Sequence, residues 1–352
     1  MTFDIETAYS ELQPHFKGRA RRNEALSRHC TFGVGGPADV WVSLETSEEL
    51  VELVRLCMER RWPLLLVGNG TNTLYADAGA RGVVARLALD AYRIEERGDG
   101  TALLVADTGV SWPRLLNDLA GQGWGGLEFG PGIPGTLGGG VITNAGAHNS
   151  DLSEVLEWVE VLDARSASLA QNGLSMPILR RYTHTEIELG YRRSRFRTGR
   201  DIKFDAQGYP IVPERGLIEP AEIITHLGVR LHRADPGQLK EIIEQHKQHR
   251  KQTQPPQKSA GSVFKNPPGD FAGRLIEQAG LKGMTHGKAQ ISPRHANFII
   301  NLGGASAGDV VALIVAARER VRTQFGVTLE LEVELRGEWE TSTTNRQQET
   351  RS

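Results

Sequence analysis

The sequence predicts an α+β protein of more than one domain, and three observations support this fold class. The chain has 352 residues, about twice the size of a typical single domain. Short apolar runs typical of strands occur beside amphipathic helical patterns, and no repeat of solenoid period is present. The 40 glycines, about 11% of the chain against a usual ~7%, concentrate in two stretches that each follow a predicted strand. We therefore expect two small sheets with glycine-rich loops, followed by a further α+β region.

Composition and charge exclude several other classes of protein. Hydrophobic residues make up 39% and charged residues 24%, values typical of globular rather than disordered or membrane-spanning chains. No run of 18 apolar residues occurs. The net charge of -2 provides no general attraction to nucleic acid or anionic lipid. Cys30 and Cys57 are too few for a disulfide framework, and the N-terminus lacks the apolar segment of a signal peptide, so we expect a cytoplasmic protein.

The first part of the chain predicts one sheet with a covering helix. Residues 1–22 lack apolar periodicity and are interpreted as an N-terminal tail. Residues 23–90 are predicted to form the first subdomain, and 30–90 fit a β-α-β-β unit in which Thr46 opens a helix, because a capping box there precedes an apolar stripe. The predicted strands of this unit are Val40–Val42, Leu64–Val67 and Val83–Val84.

The middle part, residues 91–234, predicts a second sheet. Pro113 stands in the first turn of a helix that begins near Ser111, where a missing N–H group does no harm. A polar insertion at about 198–220 contains three prolines and no periodicity, which indicates a surface excursion. The predicted strands are Leu103–Val105, Val155–Val161 and Ile223–Leu231.

The last part, residues 235–340, predicts a separate domain, and residues 341–352 are interpreted as a C-terminal tail. Pro255 and Pro256 follow the basic end of the first helix and mark a predicted domain junction. The predicted elements are a helix opened by Asp235, a strand at Val263–Phe264, a helix around Leu275, a strand at Asn297–Asn301, a helix capped by Ser306 and an alternating strand at Leu329–Leu335.

The two glycine-rich loops predict a ligand site. Gly68–Asn72 follows a buried strand, so it is either a phosphate cradle or a plain tight turn. It opens no helix and contains no Gly-Lys-Ser/Thr, which excludes the Rossmann and Walker loops. Residues 126–146 hold eight glycines in 21 positions, interleaved with apolar residues that a flexible linker would lack. Two such loops on two sheets indicate a bound dinucleotide, and we favour a flavin.

Several further motifs occur in order along the chain. They are Thr31–Phe32, Val34–Ala38, the two glycine loops, Tyr191–Phe196, Ser259–Pro267, Leu275–Gly283, Ser292 and His295–Phe298. This set resembles the FAD-binding fold of the vanillyl-alcohol oxidase type and, within it, the UDP-N-acetylenolpyruvoylglucosamine reductase family. The resemblance spans about 23–337 and implies a two-part FAD-binding domain with a C-terminal α+β substrate-binding domain. The short connection after Leu231 carries no tyrosine-bearing loop, so the chain is similar to the shorter, second type of the family.

The resemblance implies an enzyme of peptidoglycan precursor synthesis, and so of cell-wall formation. Non-covalently bound FAD, reduced by NADPH, would pass hydride to UDP-N-acetylglucosamine enolpyruvate and give UDP-N-acetylmuramate. Two alternatives are another flavin oxidoreductase of the same fold, such as a sugar or alcohol oxidase, and a non-catalytic nucleotide-sugar binding module. The implied cofactor-binding residues are Gly68, Asn69, Gly70, Thr71, Asn72, Gly132, Ile133, Pro134, Gly135, Thr136, Gly138, Gly139, Asn144 and Gly146.

Three residues match the catalytic positions of the family. Ser262 matches the proton donor, and Arg192 matches the arginine that engages the substrate carboxylate and the developing enolate. Glu332 matches the catalytic glutamate. The alternation alone places Glu330, Glu332 and Glu334 on one strand face and leaves the choice among them open. The match to the family selects Glu332, and we expect the other two to face solvent.

The remaining motifs imply contacts to the substrate. The residues concerned are Lys265, Asn266, Gln290, Ser292, His295 and Asn297. No metal is predicted, because His246 and His249 lie on a basic helix end without cysteine or carboxylate ligands. The expected partners are small molecules, the UDP-sugar enolpyruvyl ether and NADPH, with no nucleic acid and no membrane. The expected oligomeric state is a monomer.

Overall fold

The computed structural model describes residues 3–169, 175–198 and 200–339, and we divide them into three bodies. The first part of the chain forms α1 (Ile5–His15), β1 (Ala20–Ala25), β2 (Pro37–Leu44), α2 (Ser47–Arg60), β3 (Leu64–Val67), β4 (Thr73–Tyr75) and β5 (Ala80–Leu87). The middle part forms β6 (Tyr92–Glu96), β7 (Thr101–Asp107), α3 (Trp112–Gln122), β8 (Trp124–Gly125), α4 (Leu137–Thr143), β9 (Gly146–Ala147), β10 (Ser150–Asp151), β11 (Leu156–Leu169), β12 (Ser175–Thr183), α5 (His184–Ile187), β13 (Lys203–Phe204), β14 (Pro210–Ile211), β15 (Ile218–Glu219), β16 (Glu222–Arg233) and α6 (Pro236–Thr253). The last part forms α7 (Ala272–Gln278), β17 (Thr285–His286), β18 (Ala289–Ile291), β19 (Ile299–Asn301), α8 (Ala307–Phe325) and β20 (Glu334–Arg336).

The first body is a five-stranded sheet in the order β1-β2-β5-β3-β15, in which β1 is antiparallel and the other pairs are parallel. Its main helix, α2, begins as predicted, because the Thr46 hydroxyl accepts a hydrogen bond from the Glu49 N–H at 3.2 Å. Leu50, Leu53 and Val54 of α2 are fully buried in the core that this sheet forms. The predicted parallel unit is therefore present.

The N-terminal tail predicted for residues 1–22 is wrong. Helix α1 occupies residues 5–15, and β1 pairs with β2 from residue 20 onward. Ala8, Leu12 and Phe16 are fully buried in the core of the first body. Three apolar side chains spaced four residues apart dock the helix against the sheet, although its remaining face is polar.

The second body is an antiparallel sheet in the order β12-β11-β16-β7-β6, with β8 beside β16. Helix α3 has Pro113 in its first turn, and its first residue, Trp112, is fully buried. Leu239 and Ile243 of α6 are buried in the same core. The domain boundary predicted at residue 235 is therefore misplaced, because α6 packs on the core of the second body. The third body begins after this helix.

The third body packs α7 and α8 with the small antiparallel sheet β17-β18-β19. Ser306 begins α8 as predicted, in a capping box with Asp309. Asp77 of the first body also accepts hydrogen bonds from the N–H groups of Ala307 and Gly308, at 2.7 and 3.0 Å. This contact attaches the first body to the third.

The strands predicted in the last part are shorter than expected. Val263–Phe264 forms only isolated bridges, from Ser262 to Phe298 and from Phe264 to Leu331. Of the predicted strand 329–335, only its end joins a ladder, because β20 pairs in parallel with β4 of the first body. Residues 329–335 pair with the third body at Leu331 and with the first body at β4, so they form a long ladder with neither. Its path from one body to the other brings the end of the chain to the first glycine loop.

The insertion at 198–220 is only partly a surface excursion. Its last strand, β15, pairs with β3, and Ile218 is buried in the core of the first body. The Arg318 guanidinium of α8 lies 3.4 Å from the centre of the Phe204 ring. The insertion therefore connects the first and third bodies. The tail predicted at 341–352 lies outside the described residues.

Within the described ranges, no helix combines the length and the apolar character needed to cross a bilayer.

Candidate active site

A cavity of about 430 Å³, the main cavity, opens where the three bodies meet. Its walls come from both glycine-rich loops, from Ala260–Ser262 and from the last strand of the chain. Most of the predicted cofactor-binding residues line it: Gly68, Asn69, Gly70, Thr71, Asn72, Ile133, Pro134, Thr136, Gly138, Gly139 and Gly146. The fold thus brings together two loops that lie about 60 residues apart in the sequence.

The first glycine loop forms one wall of the main cavity with bare backbone. Gly70 has a φ of +61°, and a β-carbon there would collide with the backbone carbonyl of His29, so only glycine fits. At Gly68 a β-carbon would meet only the Thr136 hydroxyl, at 3.4 Å. The absence of a side chain at Gly68 therefore keeps space open for a ligand.

The second glycine loop lies beside the first and leads into α4. The Thr136 hydroxyl begins this helix by accepting a hydrogen bond from the Gly139 N–H at 3.3 Å. Gly138 packs so closely on Thr108 that no side chain fits, whereas a β-carbon at Gly139 would meet only Thr136, at 3.5 Å. Two of the glycines thus have different tasks, since Gly138 allows close packing and Gly139 leaves the cavity open.

Three predicted cofactor-binding residues do not line the main cavity. Gly132 lies under the Arg250 side chain, and Gly135 packs against Thr71. Asn144 is 1% exposed, and its side chain bonds to the backbone of Gly190 and Ser153, both at 3.1 Å. These residues shape the loop and the end of α4, which is a structural task that the sequence motif does not separate from ligand binding.

Arg192 and Glu332 form an ion pair at the edge of the main cavity, with Nε and Oε1 2.7 Å apart. The other two guanidinium nitrogens donate to the backbone carbonyls of Asn144 and Gly146, at 3.4 and 3.1 Å. Arg192 also has a φ of +51°, which non-glycine residues adopt rarely. The guanidinium is therefore held from three directions.

Ser262 lines the same cavity, and its neighbours hold it on both sides. The Glu332 N–H donates to the Val263 carbonyl, and the Val263 N–H donates to the Asn297 carbonyl, both at 2.8 Å. The Asn297 amide bonds to both the N–H and the C=O of Phe264, at 2.9 and 2.8 Å. Ser262 is therefore fixed beside the segment that carries Glu332.

Glu330, Glu332 and Glu334, among which the alternating pattern could not select the catalytic carboxylate, have different partners. Glu330 is exposed, as predicted, and lies 3.3 Å from the Lys265 ammonium. Glu332 pairs with Arg192, as described above. The prediction that Glu334 faces solvent is wrong, because it lines the main cavity and pairs with Arg336.

The pKa values of the two inner carboxylates shift in opposite directions. Burial raises the pKa of Glu332 above its usual value, although Arg192 and Arg197 oppose the shift. Burial acts in the same direction on Glu334, but Arg336 and Arg197 outweigh it, and the pKa of Glu334 falls. Glu332 is therefore the inner carboxylate that binds a proton at the higher pH.

Two of the predicted substrate-binding residues line a second cavity, of about 720 Å³, which adjoins the main cavity at Arg192. The Lys265 ammonium is 3.4 Å from an Asp201 carboxylate oxygen in its wall. The Asn266 side-chain oxygen accepts a hydrogen bond from the Ala272 N–H at 3.0 Å and so begins α7. A ligand reaching the Arg192 end of the main cavity thus has a polar space in front of it.

The other four predicted substrate-binding residues line neither of these cavities. Gln290 donates to the Gly283 carbonyl at 3.1 Å. Ser292 is fully buried, and its hydroxyl accepts from the His295 N–H at 3.3 Å. The His295 ring accepts from the Asn297 N–H at 3.3 Å. The hydrogen bonds of these four side chains described here are to the protein itself, so their contact with substrate stays a prediction.

The motifs did not identify two arginines, Arg200 and Arg250, that line the main cavity. Burial lowers the pKa of both guanidinium groups, and neither forms an ion pair with a carboxylate of the described residues. For Arg250 a signal existed, since it continues at helical spacing the face of α6 that carries the buried Leu239 and Ile243 and the half-buried His246. For Arg200 the polar insertion offered no periodic pattern.

The residues that line the main cavity fit FAD, which combines a flat ring system with a doubly negative diphosphate. Gly68 and Gly139 present open backbone, and Arg200 and Arg250 bring two positive charges that form no ion pair with a carboxylate of the described residues. Apolar side chains complete the walls, among them Leu66, Val67, Ile142, Phe196 and Ile223.

Fold and site together define an FAD-dependent oxidoreductase. Residues 38–168 match the family described as FAD binding domain, and residues 252–336 match the family described as UDP-N-acetylenolpyruvoylglucosamine reductase, C-terminal domain. These matches confirm the predicted fold class.

The chain belongs to the UDP-N-acetylenolpyruvoylglucosamine reductase family. It is 41% identical over 323 residues to UDP-N-acetylenolpyruvoylglucosamine reductase 2 of Symbiobacterium thermophilum, an alignment covering 91% of this chain and 93% of the relative. The reductase of Rubrobacter xylanophilus is 39% identical, with coverage of 91% and 96%. The crystal structure of the reductase from Thermus caldophilus superposes with a TM-score of 0.67 at 34% identity, covering 90% of this chain and 99% of that one.

Proposed function

We propose that this chain reduces UDP-N-acetylglucosamine enolpyruvate to UDP-N-acetylmuramate with NADPH and bound FAD, a step of peptidoglycan precursor synthesis. In the balanced reaction NADPH gives a hydride, solvent gives a proton, and the carbon–carbon double bond becomes a single bond. One observation carries the proposal: Arg192, Glu332 and Ser262 meet in a cavity walled by two glycine-rich loops.

Bound FAD supplies the passage of hydride from NADPH to the sugar nucleotide. The chain itself supplies the backbone of the two glycine loops, apolar walls and the guanidinium groups of Arg200 and Arg250. The adjoining second cavity gives a polar ligand space beside Arg192. We infer that the enolpyruvyl end of the substrate reaches Arg192 through this second cavity.

Arg192 is proposed to stabilise the charge that develops during reduction. Addition of hydride to the terminal carbon leaves negative charge on the carbon that bears the carboxylate. The ion pair with Glu332 and the carbonyls of Asn144 and Gly146 hold the Arg192 guanidinium in advance, so it need not reorganise. A fixed planar cation is suited to a carboxylate and its enolate.

Ser262 is proposed to donate the proton from its Oγ to the carbon that bears the carboxylate. A serine hydroxyl is a weak acid, so a nearby cation must stabilise the alkoxide that remains. Lys265 is three positions away in sequence, but its ammonium lies in the second cavity between Asp201 and Glu330. Arg192 lines the same cavity as Ser262 and is the cation suited to this task.

Anaerobic absorption spectroscopy tests the proposal. The purified protein is expected to show flavin bands, to bleach with NADPH and to recover its colour with UDP-N-acetylglucosamine enolpyruvate. A colourless protein that takes up no added FAD would overturn the cofactor assignment. Bleaching without recovery on adding the sugar nucleotide would overturn the substrate assignment, and rapid recovery with air alone would support the oxidase alternative.

We also propose that the protein acts in the cytoplasm as a monomer. Both cysteines, Cys30 and Cys57, are free thiols, which suits a reducing compartment. Sedimentation of the flavin-loaded protein at a mass near 38.6 kDa is the expected result.

A further inference from the structure

We propose that Arg250, presented by Gln254, is a phosphate-binding residue of the main cavity that contacts the diphosphate of a nucleotide ligand. Neither residue belongs to a motif that predicted a function. The inference rests on the proposed function, because it concerns how the same cavity holds its nucleotides. Three observations support it: the placement of Arg250, its hydrogen bonds and the charges around it.

The placement of Arg250 differs from that of an ordinary cation at a helix end. It lies in the last turn of α6, where the helix dipole favours positive charge. Lys251 satisfies this preference from an exposed position, whereas Arg250 turns inward and lines the main cavity. It lies over Gly132, where any β-carbon would overlap with the arginine side chain. The second glycine loop therefore leaves room for this particular side chain.

The hydrogen bonds of Arg250 orient it without neutralising it. Its Nε and Nη2 donate to the side-chain oxygen of Gln254, at 3.1 and 2.8 Å. A guanidinium has five N–H groups, so Nη1 and part of Nη2 stay available for another acceptor. Gln254 also lines the main cavity and carries no charge. The pair thus presents an oriented cation to whatever occupies the cavity.

The described part of the chain provides no anion for Arg250. Each carboxylate that lines the main cavity already has a cationic partner: Glu222 pairs with Arg165, Glu332 with Arg192 and Glu334 with Arg336. The nearby titratable groups are imidazoles. The rings of His148 and His246 stack with their centres 3.6 Å apart. Burial and the charges of His246, His249 and Arg250 lower the pKa of His148. Burial alone lowers the pKa of Arg250, with no acidic group acting against it. A phosphate would supply the missing negative charge through charge-assisted hydrogen bonds.

The test compares Arg250→Gln with Lys251→Gln in the full-length chain stripped of flavin. The control removes the same charge from the next residue, which is exposed and lies outside the cavity. Quenching of flavin fluorescence gives the Kd for FAD and for riboflavin, which has no phosphate. We expect Arg250→Gln to weaken FAD binding about 10- to 100-fold and to leave riboflavin binding within about 2-fold. Lys251→Gln is expected to change neither Kd.

Measurements with UDP and NADPH identify the nucleotide that carries the phosphate, and the Arg250→Lys variant tests for a structural effect. If FAD binding is unchanged but inhibition by UDP or the KM for NADPH weakens by a similar factor, the phosphate belongs to a nucleotide substrate. Arg250→Lys keeps the charge and loses the planar fork, so its effect is expected to be intermediate. Equal weakening of FAD and riboflavin binding would overturn the inference, because it indicates a damaged cavity.

The inference and the proposed function fail in different ways. No change beyond about 2-fold for FAD, UDP and NADPH in Arg250→Gln would overturn the role of Arg250 and leave the function intact. A wild-type chain that binds no FAD would overturn the proposed function before any variant is compared.

Discussion

The side-chain amide of Asn72 donates a hydrogen bond at 3.0 Å to the backbone carbonyl of Glu332, 260 positions further along the chain. The Glu334 N–H returns a bond to the Asn72 carbonyl at 2.9 Å, next to the pairing of β4 with β20. The first glycine loop and the segment bearing Glu332 are therefore hydrogen-bonded to each other and are expected to move together. Any ligand that orders this loop also positions the proposed catalytic carboxylate.

Replacing Ser262 by alanine is expected to separate the two halves of the reaction. Reduction of the flavin by NADPH should proceed at the parental rate, while its reoxidation by the sugar nucleotide falls about 10²- to 10⁴-fold, as when a general acid is lost. Anaerobic stopped-flow absorption measures both halves. The matched control is Ser259→Ala, a hydroxyl three residues away that does not line the main cavity. Reoxidation at the parental rate in Ser262→Ala would show that another group donates the proton.

Replacing Asn297 by leucine is expected to destabilise the fold by about 2 to 4 kcal/mol. Asn297 is 4% exposed, and its amide satisfies both backbone groups of Phe264, which leucine would leave buried and unpaired. Denaturant unfolding measures the loss. Gln290→Leu, which removes one bond to Gly283, should cost about 1 kcal/mol or less. Equal losses in the two variants would contradict a special task for Asn297.

Asp77 is expected to stabilise the junction between the first and third bodies. Its carboxylate caps α8 by accepting from Ala307 and Gly308, so Asp77→Ala should lower the free energy of unfolding by about 1 to 2 kcal/mol. Asp77→Asn keeps one acceptor oxygen and should lose less. Thermal unfolding measured by circular dichroism compares the three chains, and an alanine variant as stable as the parent would refute the capping role.

His226 is expected to make stability depend on pH. Its hydrogen bond to Asp107 raises the pKa of the imidazole above 6.5, although burial opposes the shift, and Glu160 lies 3.4 Å from the other ring nitrogen. The stabilisation is present in full below the unfolded-state pKa and is lost as pH rises through the raised pKa of the folded state. Between about pH 6 and pH 9 the parent should therefore lose stability that His226→Gln never had. Urea midpoints across this range test it, and parallel curves for the two chains would contradict it.

Short-range patterns were sufficient for several elements. Thr46 and Ser306 begin helices as predicted, because a cap is a bond between residues three positions apart. Pro113 lies in the first turn of α3, since its ring tolerates only such a site. Both glycine-rich loops line one cavity. The sequence predicted this shared site because each loop is a glycine-rich stretch that follows a strand.

The sequence by itself determined the α+β class, the capped helices and the two glycine-rich loops, and its resemblance to a family led to the proposal of Ser262, Arg192 and Glu332 as catalytic residues. Only the tertiary structure decided that residues 5–15 form a helix with one buried face. It also decided that Glu334 faces Arg336 rather than solvent, and that Arg250 enters the main cavity. The physical reason is range: caps and turns depend on neighbours a few positions away. Burial and charge pairing instead depend on groups that meet only after three bodies have packed together.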